Sequence, residues 1–242
     1  MADRWFEIAA IDHFWIRRRF EVLQRLAGGL VASAREIAEI GCGHGLLQLQ
    51  IEETYDQDVT GFDLNEVALK KNVSRRSAIN CYDIYQKNLA LRGKFDLIFL
   101  FDVLEHIADE GAFLGAVLFH LAPGGKLAVN VPAGMWAYSE YDIAVGHVRR
   151  YSIGSLRETA KRNNLEIAEC TYWGMPLLPA LALRKLWLLG KHDKNEIVSA
   201  GMDSRSEVIN RLLGLVSQCE PIPQMVLGTS LMAVLEAGRD EG

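Results

Sequence analysis

The chain has 242 residues, of which 50% are apolar and 24% are charged. This composition is typical of a folded globular protein and excludes a disordered one. The net charge of −5 argues against a nucleic-acid-binding protein, because such proteins usually carry a basic face, and favours a small-molecule substrate. The cysteines are widely separated and form no C-x-x-C pair, so neither a zinc site nor a disulfide framework is predicted.

The N-terminal segment, MADRWFEIAAIDHFWIRRRF, lacks the basic start and the uninterrupted apolar stretch of a secretory signal peptide. The longest apolar segment, residues 175–190, contains Arg184 and Lys185 at its centre and is too short to cross a bilayer. We therefore expect a cytoplasmic protein without a transmembrane helix.

The spacing of apolar side chains predicts a leading helix over residues 12–27, which the following Gly-Gly pair would end. From residue 35 onward, short apolar runs alternate with helical patterns, which predicts a parallel sheet with helices on both faces. The run FDLIFLF, residues 95–101, is continuously apolar, as expected for a central strand that is buried on both faces.

The pattern changes after residue 133. A loop that contains glycines and aromatic residues leads into a helix capped by Ser152 and then into a predicted strand, LEIAECTYW. A last strand, TSLMAVLEA, follows a helical region, so residues 176–225 are predicted to form a helical cap insertion between the final two strands. We expect one domain over residues 1–242, with an N-terminal lid region at residues 1–34.

The segment EIGCGHG ends the first predicted strand with three glycines in five positions. Ligands of open parallel sheets lie at the carboxyl ends of the strands, so Gly41, Gly43 and Gly45 line the expected site. Their spacing is G-x-G-x-G instead of the G-x-G-x-x-G of dinucleotide folds, and Glu39 would repel a pyrophosphate but attract a cationic amine. A nucleoside that carries an amino acid and a sulfonium suits this loop.

Two more acidic residues end predicted strands. Asp63 follows Gly45 by 18 residues, where a carboxylate can accept hydrogen bonds from both ribose hydroxyls. Asp83 ends the third strand and would accept a hydrogen bond from an adenine amine, with Ile84 against the ring. Either aspartate alone would equally suit a turn or a helix cap.

Together these motifs resemble those of the class I S-adenosylmethionine-dependent methyltransferases, as do the segments FDLIFLFDVLEHI and LAPGGKLAVNVPA. The nearest branch is the bacterial small-molecule group related to quinone-biosynthesis methyltransferases. The resemblance implies a Rossmann-like α/β fold with a seven-stranded sheet of order 3-2-1-4-5-7-6, in which only strand seven is antiparallel. It also implies S-adenosylmethionine as cofactor and S-adenosylhomocysteine as product.

The resemblance further implies roles for individual residues. The cofactor-binding set is Glu39 for the methionine amine, Gly41, Gly43 and Gly45 for the loop, Asp63 and Leu64 for the ribose, Asp83 and Ile84 for the adenine, and Phe101 beside the cofactor. In the leading helix, Phe14, Trp15 and Arg18 resemble a lid signature. The alternative is that this helix packs its aromatic residues into the core.

The segment YDIAVGHVRRY, after strand five, resembles a signature of the same branch at the side where substrate enters. We expect His147 to act as a general base that Asp142 orients, with His106 as a second candidate. The predicted substrate-binding residues are Trp136, Tyr138, Arg149, Arg150 and Tyr151. Alternatively, His147 and the arginines attach this loop to the sheet by hydrogen bonds. Glu105 and His106 alone are too few ligands, so no metal is predicted.

We expect methyl transfer to a small, hydrophobic or lipid-linked acceptor, most simply to an oxygen. A nucleic acid is not expected, because the [N/D/S]-P-P-[Y/F/W] motif of enzymes that methylate nucleic-acid amines is missing after strand four. Residues 177–189 contain seven leucines and Trp187, which would roof the acceptor site, pack on a second copy of the chain or pack on their own domain. The rival hypothesis is a cofactor-binding protein with a peripheral membrane or partner-binding role.

Overall fold

A seven-stranded sheet of order β3-β2-β1-β4-β5-β7-β6 organises the computed structural model, which describes residues 11–191, 193, 197 and 207–238. The strands are β1 (Ile37–Ile40), β2 (Val59–Asp63), β3 (Ile79–Cys81), β4 (Phe95–Phe101), β5 (Leu121–Pro132), β6 (Leu165–Trp173) and β7 (Ser230–Ala237). Neighbouring strands pair in parallel except that β7 runs antiparallel to both β5 and β6. The predicted topology is confirmed.

Helices connect the strands and cover both faces of the sheet. They are α1 (Phe14–Ser33), α2 (Leu46–Tyr55), α3 (Glu66–Lys70), α4 (Glu110–His120), α5 (Glu140–Val145), α6 (Ile153–Arg162), α7 (Leu178–Leu188) and α8 (Glu207–Ser217). Residues 1–10 of the predicted lid region, and residues 192, 194–196 and 198–206 of the predicted insertion, lie outside the described part of the chain. None of the described helices has the length and apolar character needed to cross a membrane.

Strand β4 lies at the centre of the core because its side chains serve both faces of the sheet. Leu97 and Phe99 belong to the apolar cluster formed with α1 and α2, whereas Ile98 and Leu100 belong to the cluster formed with α4 and α6. All four side chains are buried. Period-two alternation between two apolar layers explains why this strand reads as an uninterrupted apolar run.

The insertion between β6 and β7 carries α7 and α8. Leu188 is fully buried against Ala144 of α5, but Leu183 and Leu186 of the same helix are 69% and 64% exposed. Trp187 is also half exposed. Among the described residues, the leucines of α7 therefore do not all pack on their own domain. A roof over the acceptor site, a second subunit and a membrane surface stay hypotheses for what covers them.

Candidate active site

The glycine loop occupies the turn between β1 and α2, where the backbone adopts a conformation that other residues rarely reach. The φ angles of Gly41, Gly43 and Gly45 are +80°, +54° and +80°, all in the left-handed region that favours glycine. A Cβ on Gly41 would also lie 2.6 Å from a methyl group of Val103, and a Cβ on Gly45 would lie 2.5 Å from the amide of Asn72. Glycine is therefore favoured at both positions by conformation, and an added Cβ would have to displace a neighbouring side chain.

Asp63 ends β2 directly beside this loop. Its carboxylate accepts hydrogen bonds from the backbone N–H of Gly43 at 2.7 Å and of Asn65 at 2.8 Å, so its orientation is fixed. The next residue, Leu64, is 66% exposed although it is apolar. A fixed carboxylate next to an exposed apolar side chain suits a ligand that combines hydroxyl groups with a flat ring.

Glu39 lies in β1 below the loop and is buried without a full set of partners. Its Oε2 atom has no hydrogen-bond partner among the described residues. Burial raises the pKa of this carboxyl to about 8, with the charge of Arg19 opposing the shift and those of Asp63 and Asp102 adding to it. A buried acid of this kind fits the ammonium group of the methionine moiety, which would supply the missing positive partner.

A polar network at the end of β4 was missed by the sequence analysis, which named only Phe101 there. Asp102 has a φ of +57°, and its carboxylate accepts from Arg19 at 2.6 Å and from the amide of Asn130 at 2.7 Å. The side-chain amide oxygen of Asn130 in turn accepts from the Trp173 indole N–H at 2.9 Å. An acidic residue immediately after an apolar strand was the available signal, because β1, β2 and β3 each end near such a residue.

Arg19, and not the predicted lid residue Arg18, attaches α1 to this edge of the sheet. The guanidinium of Arg19 also lies 5.2 Å from the centre of the Phe101 ring, and Phe101 is itself buried in the core. Arg18 instead pairs with Glu220 of the insertion at 3.3 Å, and Trp15 packs on Trp173 with ring centres 4.3 Å apart. The leading helix is thus tied to both the sheet and the insertion.

The adenine residues proposed from the sequence lie at the end of β3. Asp83 accepts a hydrogen bond from the backbone N–H of Tyr85 at 3.0 Å and so caps the 3-10 turn Ile84–Gln86. Ile84 is buried in the core cluster. The cap was the structural alternative for Asp83, and its role in adenine binding stays a prediction.

Residues 133–151, which follow β5, form the acceptor-side loop. This loop is organised around the carboxylate of Asp142, which is fully buried. His147 contributes Nδ1 at 2.8 Å from Asp142 Oδ1, and Arg150 donates to the same oxygen through Nε at 2.8 Å. Burial acts to raise the pKa of Asp142, but the hydrogen bond from His147 and the charge of Arg150 hold that pKa below its ordinary value. This contact fixes the orientation of the His147 ring; the role of His147 as a base stays a prediction.

The other predicted substrate-binding residues differ in how far they are already engaged within the protein. Arg150 also donates to the Ala133 carbonyl at 3.3 Å, and Arg149 donates to the Ala108 carbonyl and pairs with Glu110. Tyr151 is buried and donates to Glu110 at 2.6 Å, and burial raises its pKa. Tyr138 donates to the His147 carbonyl at 2.8 Å, whereas Trp136 is half exposed. These contacts favour the attachment role for Arg149, Arg150 and Tyr151, whose part in substrate binding stays a prediction.

The fold brings Glu105 and His106, in the 3-10 turn Leu104–His106 after β4, next to His147. The His147 Nε2 atom lies 3.9 Å from Glu105 Oε1, and the two imidazole rings meet edge to face with centres 4.8 Å apart. Burial raises the pKa of Glu105, and the charge of Asp102 adds to that shift. Burial and the charge of His147 lower the pKa of His106 to about 4. Glu105 and His106 are adjacent in the sequence, whereas His147 lies beside them only in the fold.

Comparisons with known proteins agree with this geometry. A family model described as "Methyltransferase domain" matches residues 11–169. A Mycolicibacterium smegmatis protein named "Probable S-adenosylmethionine-dependent methyltransferase" is 27% identical over 166 residues, which are 66% of this chain and 62% of that protein. The ubiquinone biosynthesis O-methyltransferase of Bordetella avium is 30% identical over 113 residues, 44% of this chain and 46% of that enzyme. This chain thus spans between about half and three fifths of the length of these relatives.

A similar fold is found among solved structures. The crystal structure of an S-adenosylmethionine-dependent methyltransferase from Archaeoglobus fulgidus superposes with a TM-score of 0.56 at 16% identity, covering 91% of this chain and 94% of that one. At this identity the likeness concerns the fold alone. The family model, in contrast, covers the glycine loop, the acidic strand ends and the acceptor-side loop together. The chain belongs to the methyltransferase-domain family.

Proposed function

We propose that the protein is an S-adenosylmethionine-dependent methyltransferase that transfers the methyl group to an oxygen of a small, apolar acceptor. The observation that carries this proposal is the arrangement of side chains at the carboxyl edge of the sheet. There the glycine loop and the partly unpartnered Glu39 lie on one side, and the oriented pair of His147 and Asp142 lies in the loop after β5. The first group fits the cofactor, and the second offers a base to an acceptor.

The residues present fit the cofactor group by group. Glu39 would hold the methionine ammonium, the glycine loop would allow close approach of the amino-acid portion, and Asp63 would hold the ribose hydroxyls beside Leu64. When bound, S-adenosylmethionine supplies an electrophilic methyl carbon on a sulfonium. Holding the acceptor in line behind that carbon can contribute up to about 7–11 kcal/mol to catalysis.

His147 supplies the acid–base chemistry on the acceptor side. A carboxylate that carries no proton can only accept, so in the neutral form of His147 the Nδ1 atom beside Asp142 carries the hydrogen and Nε2 has the lone pair. Nε2 takes the proton of an acceptor hydroxyl, and Asp142 stabilises the imidazolium that forms. We expect His147→Ala to lower turnover by roughly 10²–10⁴-fold and to leave cofactor affinity unchanged.

The position of α7 supports an apolar acceptor. Its Lys185 donates to the Trp136 carbonyl at 2.5 Å, and Arg184 lies 4.3 Å from the centre of the Tyr141 ring. Helix α7 therefore rests on the acceptor-side loop while it exposes Leu183 and Leu186. The 30% identity over 113 residues to a protein named ubiquinone biosynthesis O-methyltransferase supports transfer to an oxygen.

Calorimetry with S-adenosylmethionine tests the cofactor assignment. Asp63→Ala is expected to bind roughly 10- to 100-fold more weakly than the wild type, because a charged hydrogen-bond acceptor is lost. The matched control is Asp58→Ala, just before the same strand, where the carboxylate pairs with Arg76 at the surface; its affinity should equal that of the wild type. Equal affinities for all three proteins would refute ribose binding by Asp63.

Transfer of a labelled methyl group tests the acceptor assignment. Catechols and phenols with and without isoprenoid tails should become labelled, with the tailed compounds preferred, and primary amines of similar shape should not. Labelled amines without labelled phenols would contradict transfer to oxygen. A preference for a nicotinamide dinucleotide over S-adenosylmethionine would overturn the proposed activity as a whole.

A further inference from the structure

We propose that Glu105, His106 and His147 form a binding site for a first-row divalent transition cation, such as Zn²⁺ or Co²⁺, on the acceptor side of the active site. The use of the ion in methyl transfer rests on the proposed function, whereas its binding does not. One ligand atom from each of the three side chains lies within 4.8 Å of the other two. No metal was expected from the sequence, because Glu105 and His106 alone are too few ligands and His147 lies far from them along the chain.

Hydrogen bonds at the far side of each imidazole ring prepare both histidines as ligands. A carbonyl oxygen can only accept, so the contact of 3.1 Å between His106 Nδ1 and the Gly146 carbonyl puts the hydrogen on Nδ1. His147 Nδ1 is held by Asp142 in the same way. In its neutral form each ring therefore has its lone pair on Nε2. Metal-binding histidines almost always make this second hydrogen bond, which fixes the ring and raises its basicity.

Two atoms of this cluster are buried and lack a hydrogen-bond partner among the described residues, Glu105 Oε2 and His106 Nε2. The Glu105 side chain is only 1% exposed. Leaving a buried polar atom unsatisfied destabilises the fold, and a charged group more than a neutral one. A single cation bound by the three side chains would satisfy both atoms. A hydrogen bond between the two atoms would satisfy them only when one of them carries a proton.

The donor set indicates the class of ion. Two imidazole nitrogens and one carboxylate suit zinc and its first-row neighbours, whereas Mg²⁺ and Ca²⁺ prefer oxygen ligands. Bonds of about 2.0–2.2 Å place ligand atoms about 3.3 Å apart in a tetrahedral site. The side chains must therefore close by up to about 1.5 Å from their widest separation of 4.8 Å. Three protein ligands leave a fourth position open, as in catalytic zinc sites.

The open position gives the ion a role in the proposed reaction. An acceptor hydroxyl bound there becomes more acidic, because the cation stabilises the oxyanion. Its proton leaves to water, and the oxygen then forms its bond to the methyl carbon as the bond between that carbon and the sulfonium sulfur breaks. Nε2 of His147 serves as ligand when the ion is present and as base when it is not, so occupancy decides how the acceptor is activated.

Titration of metal-free protein with Co²⁺, without cofactor or acceptor, tests the site. We expect one Co²⁺ per chain, visible absorption bands that Zn²⁺ abolishes by displacement, and a rise in Tm with added ion. His106→Asn, His147→Asn and Glu105→Gln should each lose this binding, and Asp142→Asn should weaken it by about 10- to 100-fold through the His147 ring. His13→Ser is the matched control, because His13 caps α1 and serine is also a good cap.

The results that would contradict the metal site differ from those that would contradict the proposed methyl transfer. Absence of saturable binding at one equivalent, unchanged affinity in His106→Asn and His147→Asn, or tight binding of Mg²⁺ without Co²⁺ would overturn the proposal. The Tm of each ion-free variant shows whether it is folded, and Glu105→Gln preserves the shape of the buried side chain. Protein that binds S-adenosylmethionine but not Co²⁺ would overturn the metal site alone. Protein that binds Co²⁺ at these residues without binding the cofactor would support the site and refute the proposed methyl transfer.

Discussion

Glu39, which we propose to hold the ammonium group of the cofactor, is buried at a cost in stability. Its pKa in the folded protein is about 8, above its ordinary value of 4.5, because burial disfavours the charged form. A raised folded pKa contributes stability that is fully present below the ordinary value and is lost as pH rises through the folded value. The cofactor-free protein should therefore lose stability between about pH 5 and pH 9 through this group.

Glu39→Gln should remove that pH dependence. We expect the variant to be more stable than the wild type at pH 9 by roughly 1–3 kcal/mol, with a difference that shrinks towards pH 5. Urea denaturation across this pH range measures the difference in the free energy of unfolding between the variant and the wild type. The same variant should bind S-adenosylmethionine more weakly, because an amide cannot neutralise the ammonium group. A constant difference across the range would show that Glu39 does not titrate as its burial indicates.

Gly41 and Gly115 contrast a glycine in a crowded turn at positive φ with a glycine in the open interior of a helix. Gly41→Ala is expected to destabilise the fold by roughly 1–3 kcal/mol, because its φ is +80° and the added Cβ would meet Val103. Gly115→Ala, in the interior of α4 with open space around it, should stabilise by about 0.5–1 kcal/mol. Thermal denaturation of both variants compares them directly. A stable Gly41→Ala protein with normal cofactor affinity would contradict the close approach assigned to this loop.

At the scale of elements, helix α7 separates exposed apolar side chains from buried ones. Changing Leu183 and Leu186 together to Gln should leave Tm within about 2 °C of the wild type, because both are exposed. Leu188→Ala should cost about 2–5 kcal/mol, because Leu188 is fully buried. The two variants distinguish what the helix offers to a ligand or partner from what it contributes to the fold.

The double variant should also discriminate between acceptors. If the exposed face of α7 roofs the acceptor site, KM should rise for an acceptor with an isoprenoid tail and stay unchanged for its short-chain analogue. Gel filtration and flotation with vesicles serve as controls for a second subunit or a membrane surface. A change in either of these measurements without a change in KM would assign the exposed leucines to association.

The elements of the sheet were predictable because each depends on local pattern. Strand β4 reads as a buried strand from its own seven residues, and the glycine loop is recognisable from five positions. The contacts that complete the site have no local pattern. Arg19 and Asp102 are 83 positions apart, and His106 meets the His147 loop only because β4 and β5 are neighbours. The residue types that follow a strand predict where a site lies. The side chains from other elements that complete the site are known only once the fold is known.

At the scale of the whole molecule, Glu220 joins three separate parts of the chain. Its carboxylate accepts from the backbone N–H groups of Gly174 and Met175 at 2.7 and 2.8 Å, where β6 enters the insertion. It also pairs with Arg18 of α1 at 3.3 Å, and both side chains are almost completely buried. Through this residue the leading helix, the end of β6 and the end of the insertion hold one another in place.

Loss of the Glu220 charge should therefore loosen the leading helix and the insertion together. Glu220→Gln leaves the buried Arg18 without a full counter-charge, which typically costs about 3–5 kcal/mol. Glu21→Gln is the control, because Glu21 also pairs with Arg18, at 3.2 Å, but its side chain is 31% exposed and the expected cost is below about 1 kcal/mol. Urea denaturation gives the free energies, and limited proteolysis should cut Glu220→Gln faster within the insertion. Equal stability of the two variants would mean that Glu21 alone compensates Arg18 and that α1 and the insertion are held together by their apolar contacts.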